Sequence, residues 1–177
     1  MNKKTPAQCS CSYEELTKRV TISGVKHNKN CPLGGSMKRV LTGGGFDILH
    51  LGHIRYLEEA KKYGDYLIVN VLSDARIRAK KGSHSAIMPE DDRCELVRAL
   101  RCVDEVVCFK GDPDYPFFRL LEEVKFDVAV LNSDEYKTYQ AELQACIAYG
   151  RQIHFIPRIH VESGVDKGEI IRRIKLT

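Results

Sequence analysis

The stretch TGGGFDILHLGH, residues 42–53, decides how the rest of the chain is interpreted. Three glycines follow an apolar run, and then His50 and His53 occur three residues apart with Gly52 between them. Glycines after a strand let the backbone approach a ligand closely. The helix that follows presents free N–H groups and a partial positive charge. The pattern therefore predicts a phosphate-binding site at a strand–helix junction, with imidazoles that donate to phosphate oxygens.

Four other interpretations of this stretch are weaker but stay open. A P-loop requires a lysine after its last glycine, and none follows here. A dinucleotide-binding fingerprint requires a third glycine where this chain has Ile48. The two histidines could share a zinc ion, although helical zinc pairs are spaced i, i+4 and carry a glutamate. The stretch could also be a purely structural turn.

The composition predicts one globular domain in the cytoplasm. The chain has 177 residues, of which 43% are hydrophobic and 29% charged, as in ordinary folded domains. It contains no apolar run near the ~20 residues of a membrane span and no apolar core of a secretory signal. A net charge of +4 without a dense block of basic and aromatic residues argues against nucleic acid as a partner. Seven cysteines, an odd number, indicate reduced thiols.

Beyond residue 36, apolar strands alternate with helices. Strands are predicted at 38–42, 65–72, 103–109, 126–131 and 152–156. Helices are predicted at 53–63, from Pro89 onward, and at 115–124, 139–149 and 168–174, with a polar loop at 73–88. This alternation predicts an α/β fold, a Rossmann-like five-stranded parallel sheet with helices on both faces. Ligands of such sheets bind beyond the carboxyl ends of the strands.

Residues 1–36 are predicted to form a short, separate N-terminal extension. It contains four residues that could bind zinc, Cys9, Cys11, His27 and Cys31. Tetrahedral zinc accepts three cysteines and a histidine, and a segment with so little apolar content would need a metal to fold. A structural zinc site and a reduced tail without structure are equally compatible with this pattern.

Residues 44–53 resemble the His-x-Gly-His signature of the cytidylyltransferase-like nucleotidyltransferases. Further blocks follow in that family's order, namely 64–69, 73–75, 80–82, Pro89, Arg93 and 101–106. The resemblance covers roughly residues 38–156 and implies a nucleotidyltransferase domain over 37–177. In this reaction an acceptor phosphate attacks the α-phosphate of a nucleoside triphosphate and releases pyrophosphate. Such transfer depends on positioning and charge neutralisation more than on covalent chemistry.

The resemblance also implies a role for each site residue. The catalytic residues are His50 and His53, which stabilise charge on the phosphates, and Lys80 and Lys81, which clamp the phosphates from a mobile loop. The nucleotide-binding residues are Thr42, Gly43, Gly44, Gly45, Phe46, Asp47, Gly52, Arg101, Asp104, Gly164, Val165 and Lys167. The acceptor-binding residues are Asp74, Arg93 and Arg158. Mg²⁺ would bridge the triphosphate oxygens, and Asp47 would either contribute to that site or cap the turn.

The choice of nucleotide depends on two sets of blocks. Residues 46–50, 73–75 and 111–114 are similar to heptose-phosphate adenylyltransferases. Residues 65–69 and 101–106 are closer to cytidylyltransferases that act on glycerol, choline or ethanolamine phosphates, and in those enzymes the second block borders the base pocket. We therefore predict CTP and a polyol, alcohol or sugar phosphate as substrates, in a homodimer. The alternative is ATP with a sugar phosphate or FMN.

The closing segment, residues 158–170, departs from the family pattern. Gly164 and Val165 fit, but Asp166 and Lys167 replace the paired hydroxyls that normally hold the triphosphate. Lys167 would substitute as a point charge, whereas Asp166 would repel phosphate unless it binds the metal. A nucleotide-binding sensor without catalytic turnover is therefore an alternative of another functional class.

Overall fold

The computed structural model describes residues 37–81, 86–110, 117–135, 140–159 and 161–176. The predicted extension and its four residues that could bind zinc lie outside these ranges. The strands are β1 (Arg39–Gly44), β2 (Tyr66–Val71), β3 (Glu105–Val107), β4 (Val128–Asn132) and β5 (Gln152–Ile156). The helices are α1 (Leu51–Lys61), α2 (Asp74–Lys81), α3 (Glu90–Arg98), α4 (Phe117–Glu123), α5 (Gln140–Ala148) and α6 (Lys167–Ile174), with a 3₁₀ turn at Ser133–Glu135.

The five strands form one parallel sheet in the order β3-β2-β1-β4-β5. The chain moves outward from β1 to β3 and then crosses back to β4, so the strand order reverses between β1 and β4. In open α/β sheets this reversal leaves a crevice at the carboxyl ends of the two strands. The predicted five-stranded Rossmann-like sheet is confirmed.

Two apolar clusters show that helices cover both faces of the sheet. On one face, Leu57 of α1 and Val97 of α3 are fully buried against Val69 of β2. On the other face, Leu121 of α4 and Cys146 of α5 pack against neighbouring strands. Successive strand residues alternate between the two clusters because side chains of a strand point to opposite faces. The strands β1 to β4 are therefore largely buried on both sides, which explains their apolar runs, whereas the edge strand β5 is partly exposed.

The prediction of a polar loop over 73–88 was wrong for its first half. This half forms α2, which begins with Ser73 as the capping residue, because the Ser73 hydroxyl accepts the N–H of Arg76 at 3.1 Å. The helix buries one apolar side chain, Ile77, at 5% exposure. A single apolar residue gives no helical periodicity, so the sequence pattern could not reveal this helix. Lys80 and Lys81 therefore end a helix, and their side chains lie outside what the structure describes.

The junction between α1 and β2 depends on the absence of a side chain at Gly64. A Cβ at this position would lie 2.5 Å from the carbonyl oxygen of Lys38. The next residue, Asp65, accepts the backbone N–H of Lys38 at 2.9 Å. The glycine and the carboxylate together fix the start of β1 beside β2.

Within the described ranges, no helix has the length and apolarity needed to cross a bilayer.

Candidate active site

A pocket of about 420 Å³ opens at the carboxyl ends of β1 and β4, at the point where the strand order reverses. It is lined by the loop after β1, by the start of α1 and by the segment between β5 and α6. The predicted residues that line it are Gly43, Gly44, Gly45, Phe46, Asp47, His50, Gly52, His53, Arg158, Gly164, Val165 and Lys167. The structure therefore brings the two ends of the predicted nucleotide site together across more than 100 residues of sequence.

The loop after β1 contains two left-handed residues that are not glycines. Phe46 has φ of 49° and Ile48 has φ of 53°, on either side of Asp47. Such a conformation costs about 1–3 kcal/mol for a residue with a Cβ, so the surroundings must hold it. Phe46 is 4% exposed, and its ring packs edge-on against His53 with centroids 5.5 Å apart. The packing around Phe46 thus helps to hold the shape of this loop.

Asp47 links the loop after β1 to the segment before α3 and to the start of α6. Its carboxylate accepts the backbone N–H groups of Ile87 and Met88 at 2.9–3.1 Å and forms an ion pair with Lys167 at the start of α6. Burial alone would raise the pKa of Asp47, but hydrogen bonds from Lys167 and the two amides lower it below its ordinary value. The carboxylate is thus ionised and fully engaged as a brace of the loop.

This engagement bears on the predicted magnesium site. Metal binding by Asp47 would require displacement of Lys167 or of a backbone N–H, so Asp47 does not fit as a ligand. No group of three or more His, Cys, Asp or Glu side chains in the described ranges is arranged to hold a metal ion. Mg²⁺ therefore stays a prediction.

His50 and His53 lie side by side at the start of α1. Their ring centroids are 3.9 Å apart, and the backbone N–H of His50 donates to Nδ1 of His53 at 3.4 Å. Because Nδ1 accepts this bond, the neutral ring carries its proton on Nε2, which leaves an N–H donor on the other side of the imidazole. His53 lines the pocket, so it is arranged as a hydrogen-bond donor to an anion.

Both imidazoles are neutral at pH 7. Burial lowers the pKa of His53 to about 4, with further lowering by the neighbouring His50 and by Arg158. Burial also lowers the pKa of His50, against the opposing effect of Asp166. Two rings in contact cannot both carry a charge without repulsion. The pair therefore acts through neutral N–H dipoles, as a preorganised donor group for charge that develops on phosphate.

As the pH falls from 7 toward 4, the folded protein should lose stability through His53. Because the pKa of His53 is lowered from 6.5 to about 4 on folding, the unfolded chain takes up a proton that the folded protein does not. The stabilisation from neutral His53 is fully present above the pKa of the unfolded state. It is lost as the pH falls through the pKa of the folded state, and the total loss is roughly 3 kcal/mol. Urea denaturation across this range should give a flatter profile for His53→Ala than for the wild type. Parallel profiles would contradict the lowered pKa of His53. Asp47 also has a lowered pKa, but it contributes equally to the pH dependence of both proteins.

Gly52 is required by the position of His50. A Cβ at Gly52 would lie 3.0–3.1 Å from the His50 ring and 3.5 Å from the carbonyl oxygen of Ile159. Gly52 was predicted to bind the nucleotide. The immediate neighbour it accommodates is the imidazole itself, which any side chain would push out of place.

Thr42 does not line the pocket, contrary to its predicted nucleotide-binding role. It is 1% exposed, and its hydroxyl donates to the carbonyl oxygen of Val130 at 2.8 Å. The Tyr56 hydroxyl lies 2.8 Å from the same oxygen atom of Thr42. The Thr42 side chain thus links β1, β4 and α1 beneath the pocket.

Arg93 and Asp74 do not line the pocket either, although both were predicted to bind the acceptor. Arg93 is fully buried and donates to the carbonyl oxygens of Met88, Leu72 and Gly45. Its remaining terminal nitrogen donates to Asp74 at 2.6 Å. Four of the five N–H donors of Arg93 are used inside the protein and its side chain is fully buried, so it cannot donate to an acceptor in the pocket. These two residues support the glycine loop from below.

Arg101 and Asp104, predicted to bind the nucleotide, do not line the pocket. Both precede β3, and the amino ends of parallel strands lie opposite the pocket. Asp104 there accepts the backbone N–H of Leu67 at 2.7 Å and forms an ion pair with Lys61. The segment that contains them therefore lies at the amino ends of the strands, away from the pocket.

Besides Asp166, six described lining residues were not predicted from the sequence, namely Tyr56, Leu72, Ile77, Asn132, Ile159 and Val161. Tyr56 follows His53 on α1, Asn132 ends β4, and Val161 belongs to the closing segment. The Asn132 side-chain oxygen accepts the N–H of Asp134 at 3.0 Å and so starts the 3₁₀ turn. The position of Asn132 at a strand's carboxyl end was the signal that could have identified it.

The closing segment ends in a second helix N-terminus at the pocket. Asp166 caps α6, since its Oδ1 accepts the backbone N–H of Glu169 at 2.9 Å. Its Oδ2 lies 3.3 Å from a terminal nitrogen of Arg158. The starts of α1 and α6 thus both contribute residues to the pocket, and the partial positive charge of a helix start favours anions.

Comparisons with known proteins agree with this arrangement. A family model described as cytidylyltransferase-like matches residues 41–162. The chain is 38% identical over 144 residues to FAD synthase of Pyrococcus abyssi, which covers 80% of this chain and 95% of that protein. It is 47% identical over 95 residues to the bifunctional protein HldE of Nitratiruptor sp., covering 54% of this chain but only 20% of HldE. A solved structure, the lipopolysaccharide core biosynthesis protein of Thermoplasma volcanium, matches with a TM-score of 0.56 and 33% identity over 70% of this chain and 98% of that one. The chain belongs to the cytidylyltransferase-like family of nucleotidyltransferases.

Proposed function

We propose that this protein is an adenylyltransferase that transfers AMP from ATP to the phosphate of FMN, with release of pyrophosphate. The observation that carries nucleotidyl transfer is the pocket itself, where two neutral histidines and two helix starts surround one cavity. The choice of ATP and FMN is supported by the similarity to FAD synthase along 95% of that protein. CTP, the nucleotide predicted from the sequence, has less support, because the block thought to border the base lies at the opposite edge of the sheet.

In this reaction the pocket acts by positioning and charge stabilisation. The α-phosphate of ATP would lie at the His50/His53 pair, where preorganised N–H donors stabilise the charge that develops as the acceptor phosphate attacks. The bond to the pyrophosphate group breaks as the new phosphoanhydride forms, and no covalent intermediate with the protein is required.

A sugar phosphate is the second candidate acceptor. Two observations favour it, the similarity to HldE over 95 residues and the match to a lipopolysaccharide core biosynthesis protein. The HldE match covers a fifth of that protein, so its whole activity cannot be transferred to this chain. A nucleotide sensor without turnover is the candidate from another class, and a homodimer remains the predicted assembly.

One assay separates these candidates. The purified chain is incubated with Mg²⁺, with ATP or CTP, and with FMN, a heptose phosphate or glycerol 3-phosphate, and pyrophosphate and products are measured. We expect pyrophosphate and FAD, separated from FMN by chromatography, from ATP and FMN. Release only with a heptose phosphate would favour the second candidate. Release only with CTP and glycerol 3-phosphate would restore the original prediction, and nucleotide binding without any release would favour the sensor.

A further inference from the structure

The charged side chains around the pocket cancel one another. Among the described lining residues, the charged ones are Asp47, Arg158, Asp166 and Lys167, and they form two ion pairs. The histidines add no charge at neutral pH. Each of these two cations is thus already paired with a carboxylate, although the pocket is proposed to bind a nucleoside triphosphate.

The two pairs differ in how firmly the carboxylate is held. Asp47 is 7% exposed and also accepts two backbone N–H groups, so it is fixed within the protein. Asp166 and Arg158 are about half exposed, with side chains 48% and 54% accessible. An exposed ion pair at 3.3 Å exchanges readily with a competing anion, because it contributes little stability of its own. The Arg158–Asp166 pair is therefore the one that an incoming phosphate can open.

Asp166 also occupies the anion-binding end of α6. One carboxylate oxygen accepts the N–H of Glu169 and the other faces Arg158. These are the same two features, a helix N-terminus and a guanidinium, that bind phosphate groups in proteins. The side chain thus takes both positive features that a phosphate would use.

We propose that Asp166 competes internally with the nucleotide's phosphates for Arg158 and for the start of α6, and so limits the affinity of the pocket for nucleotide. A bound phosphate takes over Arg158, which can bind it with two N–H groups, while the displaced carboxylate stays nearby as a like charge. This inference rests on the proposed function, because it requires a nucleotide or another phosphate compound in this pocket.

The test is the substitution Asp166→Asn. Asparagine caps helices as well as aspartate does, so α6 keeps its start while the charge is removed. The dissociation constants of Mg²⁺–ATP and of inorganic tripolyphosphate, measured by calorimetry on the full chain, should fall by about fivefold, with the difference shrinking in high salt. Thermal melting of the variant checks that the fold is kept.

Two further variants make the test specific. Glu162→Gln changes the net charge equally in the same segment, but Glu162 is exposed and outside the pocket lining, so affinity should stay at the wild-type value. In an Arg158→Gln background, Asp166→Asn should increase the affinity for nucleotide by less, because there is no guanidinium to release. A general effect of charge would instead give the same gain in both backgrounds and with Glu162→Gln.

Weaker or unchanged binding by Asp166→Asn, while the wild type binds, would overturn this inference and leave the proposed function in place. Weaker binding specifically of Mg²⁺–ATP would show that the carboxylate assists the metal-bound nucleotide. Failure of both proteins to bind ATP, CTP and tripolyphosphate would overturn the proposed function and this inference together.

Discussion

Replacing His53 by alanine should lower kcat for pyrophosphate release by about 10²–10³-fold, the usual effect of removing one preorganised donor from a site of developing charge. The donor is the Nε2–H of a neutral imidazole, because Nδ1 accepts the backbone N–H of His50 and burial holds the pKa of His53 at about 4. His53→Gln should retain more activity than His53→Ala, since its amide is also a neutral donor. Steady-state assays with ATP and FMN, or with the active pair found in the screen, measure both.

The matched control is His154→Ala. His154 lies exposed on the edge strand β5, where its ring contacts Tyr63 with centroids 4.8 Å apart. Its removal should leave kcat unchanged. Full activity of His53→Ala would overturn the assigned role. A rate that falls with a pKa near 6.5 and loses this dependence in His53→Gln would show that His53 titrates as an ordinary exposed histidine, contrary to its burial.

Replacing Arg93 by methionine should lower the free energy of unfolding by about 3–5 kcal/mol, because each polar group left inside the protein without its partner costs about 1–3 kcal/mol. The guanidinium is fully buried, so its loss leaves Asp74 without its cation and three backbone carbonyls without a donor. Arg93→Lys should also destabilise, because a single ammonium cannot reach acceptors on three different segments. Urea denaturation followed by circular dichroism measures these changes.

Arg55→Met is the control for this prediction. Arg55 pairs with Glu58 on the surface of α1, with side chains 57% and 43% exposed, so its loss should change stability by less than about 1 kcal/mol. Equal effects of the two substitutions would mean that the buried network contributes no more than a surface pair.

Local patterns in the sequence determined the fold class and the location of the pocket. Continuous apolar runs predicted the strands, because parallel strands are buried on both faces, and the glycines after the first run placed the site at a strand end. The lining residues between Gly43 and His53 followed from this, since neighbours along a loop stay together in space. The helix α2 was missed because it buries only Ile77.

The tertiary structure alone decided which polar residues meet the pocket. Thr42, Arg93 and Asp104 carry the groups that phosphates and bases use, yet each is bound to partners inside the protein or at the opposite edge of the sheet. Lys167 pairs with Asp47 across 120 residues of sequence. The sequence specifies the chemistry of a polar side chain, but the partner of that side chain depends on distances that only folding sets. The sequence therefore located the pocket, and the structure showed which of its charged residues pair with each other.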